Sequence, residues 1–391
     1  MNLKKIHKAR YESFGGIICL EDPPVLVHVD KEFMRSIGHD NSPLWKKVCN
    51  ENNRLSAPLE VHFAVTNRCS ASCEGCYMGS GLPDDGELDE KSFKMAVDIL
   101  AEMGVFHMAL GGGEAFERSD FIELAHYVRE KGIIPNLTTN GRYINESTAH
   151  ACRIFGQVNI SIDGINDIYG YTRNSEFLPH AIQAIELLQK HGVRSGINCL
   201  VSGYNFEHLE TLARFAQDLN IEDIEFLRFK PAGRGKETYY KYRLKDEQNR
   251  QLYPLLRKIF EITGIPIKID CSFIPMMCYH QPDQEIMDLL SVYGCEAGNA
   301  LLGVRSNGEF SGCSFLENKE SIITIDESWD SSPHLNSCRN WIEHAPHPCV
   351  DCEFLEICKG GCHAVAQFET GDFFSSDPEC PFVVDYKTGN S

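Results

Sequence analysis

The stretch "CSASCEGCYMG", residues 69–79, places Cys69, Cys73 and Cys76 within eight residues, with small and polar side chains between them. A closed zinc site takes four ligands, so three clustered thiols describe a metal centre with one position left open. A cubic 4Fe–4S cluster has that demand: each iron wants one outside ligand, and three thiolates leave the last iron free for a chelating small molecule. On spacing alone, a zinc site borrowing a distant fourth ligand and a set of three structural cysteines are the alternatives. Downstream, "GGGEAF" (111–116) joins glycines that let a ligand approach the backbone to Glu114, whose carboxylate can accept hydrogen bonds from an ammonium group.

These residues need elements that hold them. Short strand-like runs, "LEVHFAVT" (59–66), "FHMAL" (106–110), "IPNLTT" (134–139), "VNISID" (158–163), "GINCLV" (196–201) and "IEFLRF" (224–229), alternate with helix-like stretches. Phe93, Val97, Leu100 and Met103 share one face of a helix starting near Asp89, and Phe177, Ala181, Ile185 and Leu188 line another that stops before Gly192. Six β-then-α units imply a parallel sheet with right-handed crossovers. They are too few for a closed eight-stranded barrel, so the expected fold is α/β, a partial, open (β/α)6 barrel. Chemistry in such folds sits in the loops after the strands. The cysteine triplet follows the first strand, "GGGE" the second and "TTNG" the third, while Ser161 and Asp163 close the fourth and Asn198 lies in the fifth. Before the barrel, residues 1–57 suggest a hairpin of "GGIICL" and "VLVHVD" joined by "EDPP", then one or two helices.

Composition narrows the function classes. The chain has 391 residues, 42% apolar and 24% charged, as an ordinary globular protein does. Its apolar runs are short and its basic start leads into no long apolar stretch, so no membrane partner is expected and the cytoplasm is the expected location. A formal charge of −19 argues against nucleic acid as a partner, because phosphate neutralisation needs clustered Lys and Arg. Seventeen cysteines in a reducing compartment favour metal ligation or catalysis over disulfides. Ten of them fall between Cys271 and Cys380, which marks the C-terminal third as a small metal-held region.

Cys69-x3-Cys73-x2-Cys76, "GGGE" and "SIDG" (161–164) on a six-fold β/α repeat resemble the radical S-adenosylmethionine (SAM) superfamily, over roughly residues 58–240. The resemblance implies that Cys69, Cys73 and Cys76 hold a 4Fe–4S cluster and that its open iron chelates the amine and carboxylate of SAM. Reductive cleavage of SAM then gives a 5′-deoxyadenosyl radical that abstracts hydrogen from substrate. It assigns Gly112, Gly113 and Glu114 to the SAM amine, Ser161 and Arg173 to the ribose and the SAM carboxylate, and Asn198 to the same pocket. An Arg suits a carboxylate, since its fork pairs bidentately. Two departures stand out: the family usually has an aromatic before the last cysteine, where this chain has Gly75 with Tyr77 beyond Cys76, and Ala115 stands where proline is common.

The C-terminal cysteines resemble the SPASM domain. Cys295-x12-Gly308-x4-Cys313, then Cys349-x2-Cys352-x5-Cys358-x3-Cys362, then Cys380 match its seven-cysteine pattern, although Cys349, Cys352, Cys358 and Cys362 alone also fit a zinc ribbon. The resemblance implies two auxiliary 4Fe–4S clusters, three clusters in all, with Cys349, Cys352, Cys358 and Cys380 on one and Cys295, Cys313 and Cys362 on the other. The second set is one ligand short. Cys278 is the expected fourth, with Cys271 and Cys338 as alternatives and an iron left open to substrate or solvent as another; Cys19, Cys49, Cys152 and Cys199 read as packing residues. His344, His347 and His363 lie near the cluster motifs without being expected to ligate.

The expected organisation is an N-terminal segment (1–57) with a possible partial leader-peptide recognition element, the barrel (58–240), a helical linker (241–290) and the SPASM domain (291–391). The pairing of modules, with "FLRFKPAGRG" (226–235), resembles maturases of ribosomally made peptides, most of all the mycofactocin branch. The implied function is modification of a precursor peptide by hydrogen abstraction, with a separate leader-recognition protein and an electron donor such as flavodoxin or ferredoxin as partners. A sulfatase-type protein maturase, a small-molecule cofactor maturase and a metal-stabilised peptide-binding protein without catalysis are the alternatives. An incomplete barrel is expected to expose a sheet edge where an extended chain can add as a strand. No residue is singled out as general acid or base.

Overall fold

The computed structural model describes residues 6–21, 24–46 and 54–389, so Cys49 lies outside the described residues. The N-terminal segment is a three-stranded antiparallel sheet, Ile6–Glu12 (β1), Gly15–Glu21 (β2) and Pro24–Asp30 (β3), where a two-stranded hairpin was expected. β1 escapes an apolar-pattern reading because two of its buried side chains, Arg10 and Glu12, are charged. Arg10 donates to the carbonyls of Ala57 and Pro58 at 2.9 and 2.8 Å, and Glu12 accepts from the Ser56 backbone at 2.8 Å. Ile17 and Cys19 pack on Phe106 and Ile134 at the N-terminal ends of the barrel strands. The segment therefore caps the end of the barrel opposite the cysteine loop.

Six parallel strands follow in sequence order: Glu60–Thr66 (β4), His107–Gly112 (β5), Ile134–Thr139 (β6), Val158–Ser161 (β7), Ser195–Val201 (β8) and Ile224–Arg228 (β9). Each expected strand is present within a residue or two of its place. The expected helices span Glu90–Glu102, capped by the Asp89 carboxylate on the Ser92 N–H, and Leu178–Lys190. Phe93, Val97 and Leu100 on the first, and Ala181, Ile185 and Leu188 on the second, enter the same core as Val61, Leu110, Leu137, Ile160 and Ile197 of the sheet.

The sheet does not stop at six strands. Ile267–Ile269 (β10) adds parallel to β9, and Leu301–Val304 (β11) adds parallel to β4, followed antiparallel by Glu309–Ser311 (β12) and Glu320–Ser321 (β13). The free edge expected to admit a peptide strand is thus already paired on both flanks of the six-strand core. Unpaired edge N–H and C=O groups attract any complementary strand, and here the chain supplies its own. Residues 241–290, expected as a helical linker, carry β10 beside the helix Asp246–Thr263. No helix among the described residues is long and apolar enough to cross a membrane.

The N-terminal cap depends on a buried charge. Arg10→Ala leaves Glu12 in the interior without its cation, which costs about 3 kcal/mol. Denaturant unfolding is expected to shift accordingly, with limited proteolysis cutting first within β1 to β3.

Candidate active site and cofactor pocket

Cys69, Cys73 and Cys76 occupy the loop directly after β4. Glycine is required where the next loop meets it: a Cβ on Gly113 would stand 2.1 Å from the Arg68 carbonyl oxygen, and one on Gly112, at φ +107°, 2.5 Å from that of Thr66. Two backbone bonds fix the approach, Gly113 N–H to Thr66 O at 2.7 Å and Glu114 N–H to Arg68 O at 2.9 Å. From the other side Arg234 donates to the Cys73 carbonyl from Nε at 2.9 Å and to the Cys76 carbonyl from its backbone at 3.0 Å. Glu117 accepts from the Ser70 N–H and hydroxyl at 2.8 and 2.7 Å. The loop is therefore braced over most of its length.

All the expected cofactor residues face one cavity of about 1290 Å³, lined by the three loop cysteines and by Gly112, Gly113, Glu114, Ser161, Arg173 and Asn198. Glu114 is 1% exposed; its oxygens accept from the Thr139 hydroxyl at 2.7 Å and the Asn140 N–H at 2.9 Å. Burial still pushes its carboxyl up to about 7, so the anion lacks a positive partner. Asn198 is 7% exposed and its Oδ1 has no hydrogen-bond partner, leaving an acceptor aimed at a ligand. Arg173 is held beside Cys73 by Asp163, whose carboxylate it meets at 2.8 and 3.0 Å. Asp163 also accepts from Thr172 and the Leu200 N–H, so it fixes the guanidinium rather than a ligand.

The donor set fits a cluster with SAM. Burial pushes the Cys69 thiol up to about 11 and raises that of Cys73, so their thiolates form at neutral pH against a metal's charge. Among the described residues no three or more His, Cys, Asp or Glu side chains converge as a single metal ion requires. Beside the loop cysteines stand a buried carboxylate short of a cation, an orphaned amide oxygen and a positioned guanidinium, which match an ammonium, a hydroxyl and a carboxylate. Gly75 has a physical reason: a Cβ there would lie 2.6 Å from the Phe229 ring, which fills the space an aromatic at 75 would use. Tyr77 packs instead on Phe315, centroids 5.1 Å apart.

Phe315 belongs to the C-terminal cysteine region. Cys349, Cys352, Cys358 and Cys380 form one group around Cys358. Cys295, Cys313 and Cys362 line the same cavity as the first loop. The expected fourth member of that set, Cys278, is elsewhere: it is buried among Ile274, Met287 and Ile357 and touches Cys358 of the other group. The helix Ile274–Cys278 turns it away from the cavity. Cys271 stands in its place, lining the cavity and facing Cys313, Cys362 and Cys295, whereas Cys338 sits behind Gly312. His363 stacks on Trp341 at 4.9 Å, His344 meets Phe374 edge-on at 4.8 Å, and His347 pairs with Asp351 at 2.7 Å.

Residue patterns did not reveal several members of the site. Gly233 and Arg234, inside "KPAGRG", brace the cluster loop, and only their Gly-x-Gly flexibility hinted at close packing. Glu225 faces the cavity in register with Asn198, and burial near Glu60 pushes its carboxyl up to about 7. In a strand sequence it looks like any solvent-side glutamate.

A partial parallel barrel whose first loop carries three thiols and whose second carries a buried carboxylate defines a SAM-cleaving iron–sulfur enzyme. Residues 63–216 match the radical SAM superfamily, so this part of the chain carries a radical SAM domain. The chain is similar to mycofactocin maturase MftC of Mycolicibacterium smegmatis, 28% identical over 338 residues, 83% of each chain. It is also similar to the Fe-coproporphyrin III synthase of Methanosarcina barkeri, 26% identical over 348 residues, 82% of this chain and 87% of that one. Among solved structures, Streptococcus suis SuiB bound to its precursor peptide SuiA superposes with a TM-score of 0.75 at 17% identity, over 95% of this chain and 98% of that one.

A carboxylate accepts from an ammonium far better as the anion than as the neutral acid. With the Glu114 carboxyl pushed up to about 7, raising the pH from 6 to 8 increases its ionised fraction and is expected to strengthen SAM binding. Isothermal titration of the reconstituted protein is expected to show this rise. Glu114→Gln weakens binding roughly tenfold or more and removes the pH dependence.

Proposed function

We propose that this enzyme modifies a ribosomally made peptide by hydrogen abstraction, using SAM and three 4Fe–4S clusters. What supports the reading most is that the Cys69 loop and the set Cys271, Cys295, Cys313 and Cys362 open onto one cavity. A substrate held there touches the cofactor pocket on one side and a second redox-capable centre on the other. Cys69, Cys73 and Cys76 would hold the first cluster, which when bound would supply the electron for cleavage of the S–C5′ bond of SAM. The chain's own residues do the rest: Glu114 holds the ammonium, Arg173 meets the carboxylate, and Asn198 and Ser161 orient the ribose. Glu225 lines the same cavity beside Asn198. A separate leader-binding protein, a flavodoxin- or ferredoxin-type donor and a cytoplasmic location belong to the same proposal.

The likeness to a porphyrin-processing synthase favours a second reading, in which the same cavity takes a tetrapyrrole. Mass spectrometry separates the two. With SAM and reductant, a small peptide encoded beside the gene is expected to change mass as 5′-deoxyadenosine is released; release that responds to an iron porphyrin and never to peptide supports the second.

The ligand assignment makes its own prediction. Cys271→Ser is expected to lower iron and sulfide after anaerobic reconstitution by up to one cluster's worth, or to change that cluster's paramagnetic resonance, whereas Cys278→Ser retains the full complement. The reverse pattern would return Cys278 to the ligand set.

A further inference from the structure

One carboxylate in the main cavity has no partner. Ser161, Asn198, Glu225 and Lys268 stand in one register row across β7, β8, β9 and β10, and all four line the cavity. The first two belong to the cofactor pocket, and Glu225 is one strand further along, at a spacing of about 4.8 Å. It is partly buried, and among the described residues no hydrogen bond or ion pair reaches its carboxylate. The charges that face it are either matched elsewhere or of its own sign. Lys268 is held by Asp223 at 2.9 Å, and His62 by Glu60 at 3.5 Å and the Ser314 hydroxyl at 3.3 Å. Glu60 and Asp270 add negative potential, Asp270 being matched in turn to Lys230.

A second acceptor stands beside it. The Asn198 amide donates to the Thr138 hydroxyl at 3.4 Å and leaves Oδ1, on a residue 7% exposed, without a donor. An amide oxygen has two lone pairs, so it can meet a ribose hydroxyl and one further donor together. We propose that Glu225 grips a cationic side chain of the peptide substrate, an ammonium or guanidinium, and so sets which segment of the peptide lies beside SAM. Such a group carries several N–H donors and no acceptor, and therefore suits both oxygens, whereas a carboxylate-bearing ligand is repelled. The inference rests on the peptide reading above and narrows it to a basic segment. Glu225 acts here as a specificity residue, holding the substrate one strand away from the row that meets the cofactor.

The test is equilibrium binding of labelled, end-capped pentapeptides to the reconstituted full-length enzyme with SAM bound, the peptides identical but for a central Lys, norleucine or Glu. The Lys peptide is expected to bind about tenfold tighter than the norleucine peptide, and the Glu peptide weakest. Glu225→Gln is expected to remove this preference, and Glu130→Gln, which takes the same charge from an exposed helix end, to leave it. In the unsubstituted enzyme, carbodiimide coupling is expected to join the Lys side chain to Glu225, as located by mass spectrometry. No preference for Lys, a preference that survives Glu225→Gln or is lost equally in Glu130→Gln, or coupling confined to other carboxylates overturns the proposal. A peptide that changes mass at a rate indifferent both to its basic residues and to Glu225→Gln rejects the inference and leaves the peptide chemistry standing. Lys-dependent binding at Glu225 while no peptide changes mass upholds the site and rejects the peptide chemistry.

Discussion

At Gly113 the loop after β5 passes so near the loop after β4 that one added methyl would meet the Arg68 carbonyl at 2.1 Å. The rest of the site depends on this approach. It lets two backbone hydrogen bonds set the three cysteines at a fixed distance from Glu114, so the thiols and the buried carboxylate share a frame that no flexible side chain has to maintain. Arg234 repeats the device from the opposite side through carbonyls of the same loop. Preorganisation of this kind matters because a reactive cofactor must be presented in one geometry.

A second constraint ties the barrel to the C-terminal cysteines. Arg228, at the end of β9, is buried and forks onto Asp377 at 2.6 and 3.0 Å and Glu379 at 2.8 Å. Asp377 in turn accepts from the Cys362 N–H at 2.9 Å. Lys230, two residues on, pairs with Asp270 next to Cys271. Buried charges of this sort are costly unless fully paired, so the pairs hold the two cysteine regions in one register. The added strands β10 and β11 do the same through the backbone, extending one sheet beneath both.

The six barrel strands and the loops that meet at the cavity were legible because their signals are local: alternating or continuous apolar runs, helix caps such as Asp89, and cysteines at fixed spacing. What was not legible is non-local. β1 carries charged residues inward, Arg10 and Glu12 pairing with each other and with the Pro58 and Ser56 backbone, which no apolar pattern announces. β10 and β11 are too short for periodicity and exist only because β9 and β4 offer open edges. Cys271 and Cys278 are indistinguishable as letters; only the intervening turn and short helix decide which faces Cys295 and which Cys358. Gly75 read as a departure until Phe229, far away in sequence, proved to occupy its space.

The central claim is that Cys69, Cys73 and Cys76 hold a cubane with one iron open to SAM, and paramagnetic resonance tests it most directly. A variant retaining only these three cluster cysteines, reconstituted anaerobically and reduced, is expected to give a 4Fe–4S signal that shifts when SAM is added. Isotopically labelled methionyl amine and carboxylate are expected to couple to one iron. A signal unaltered by SAM, or zinc in place of iron at this loop, contradicts the account.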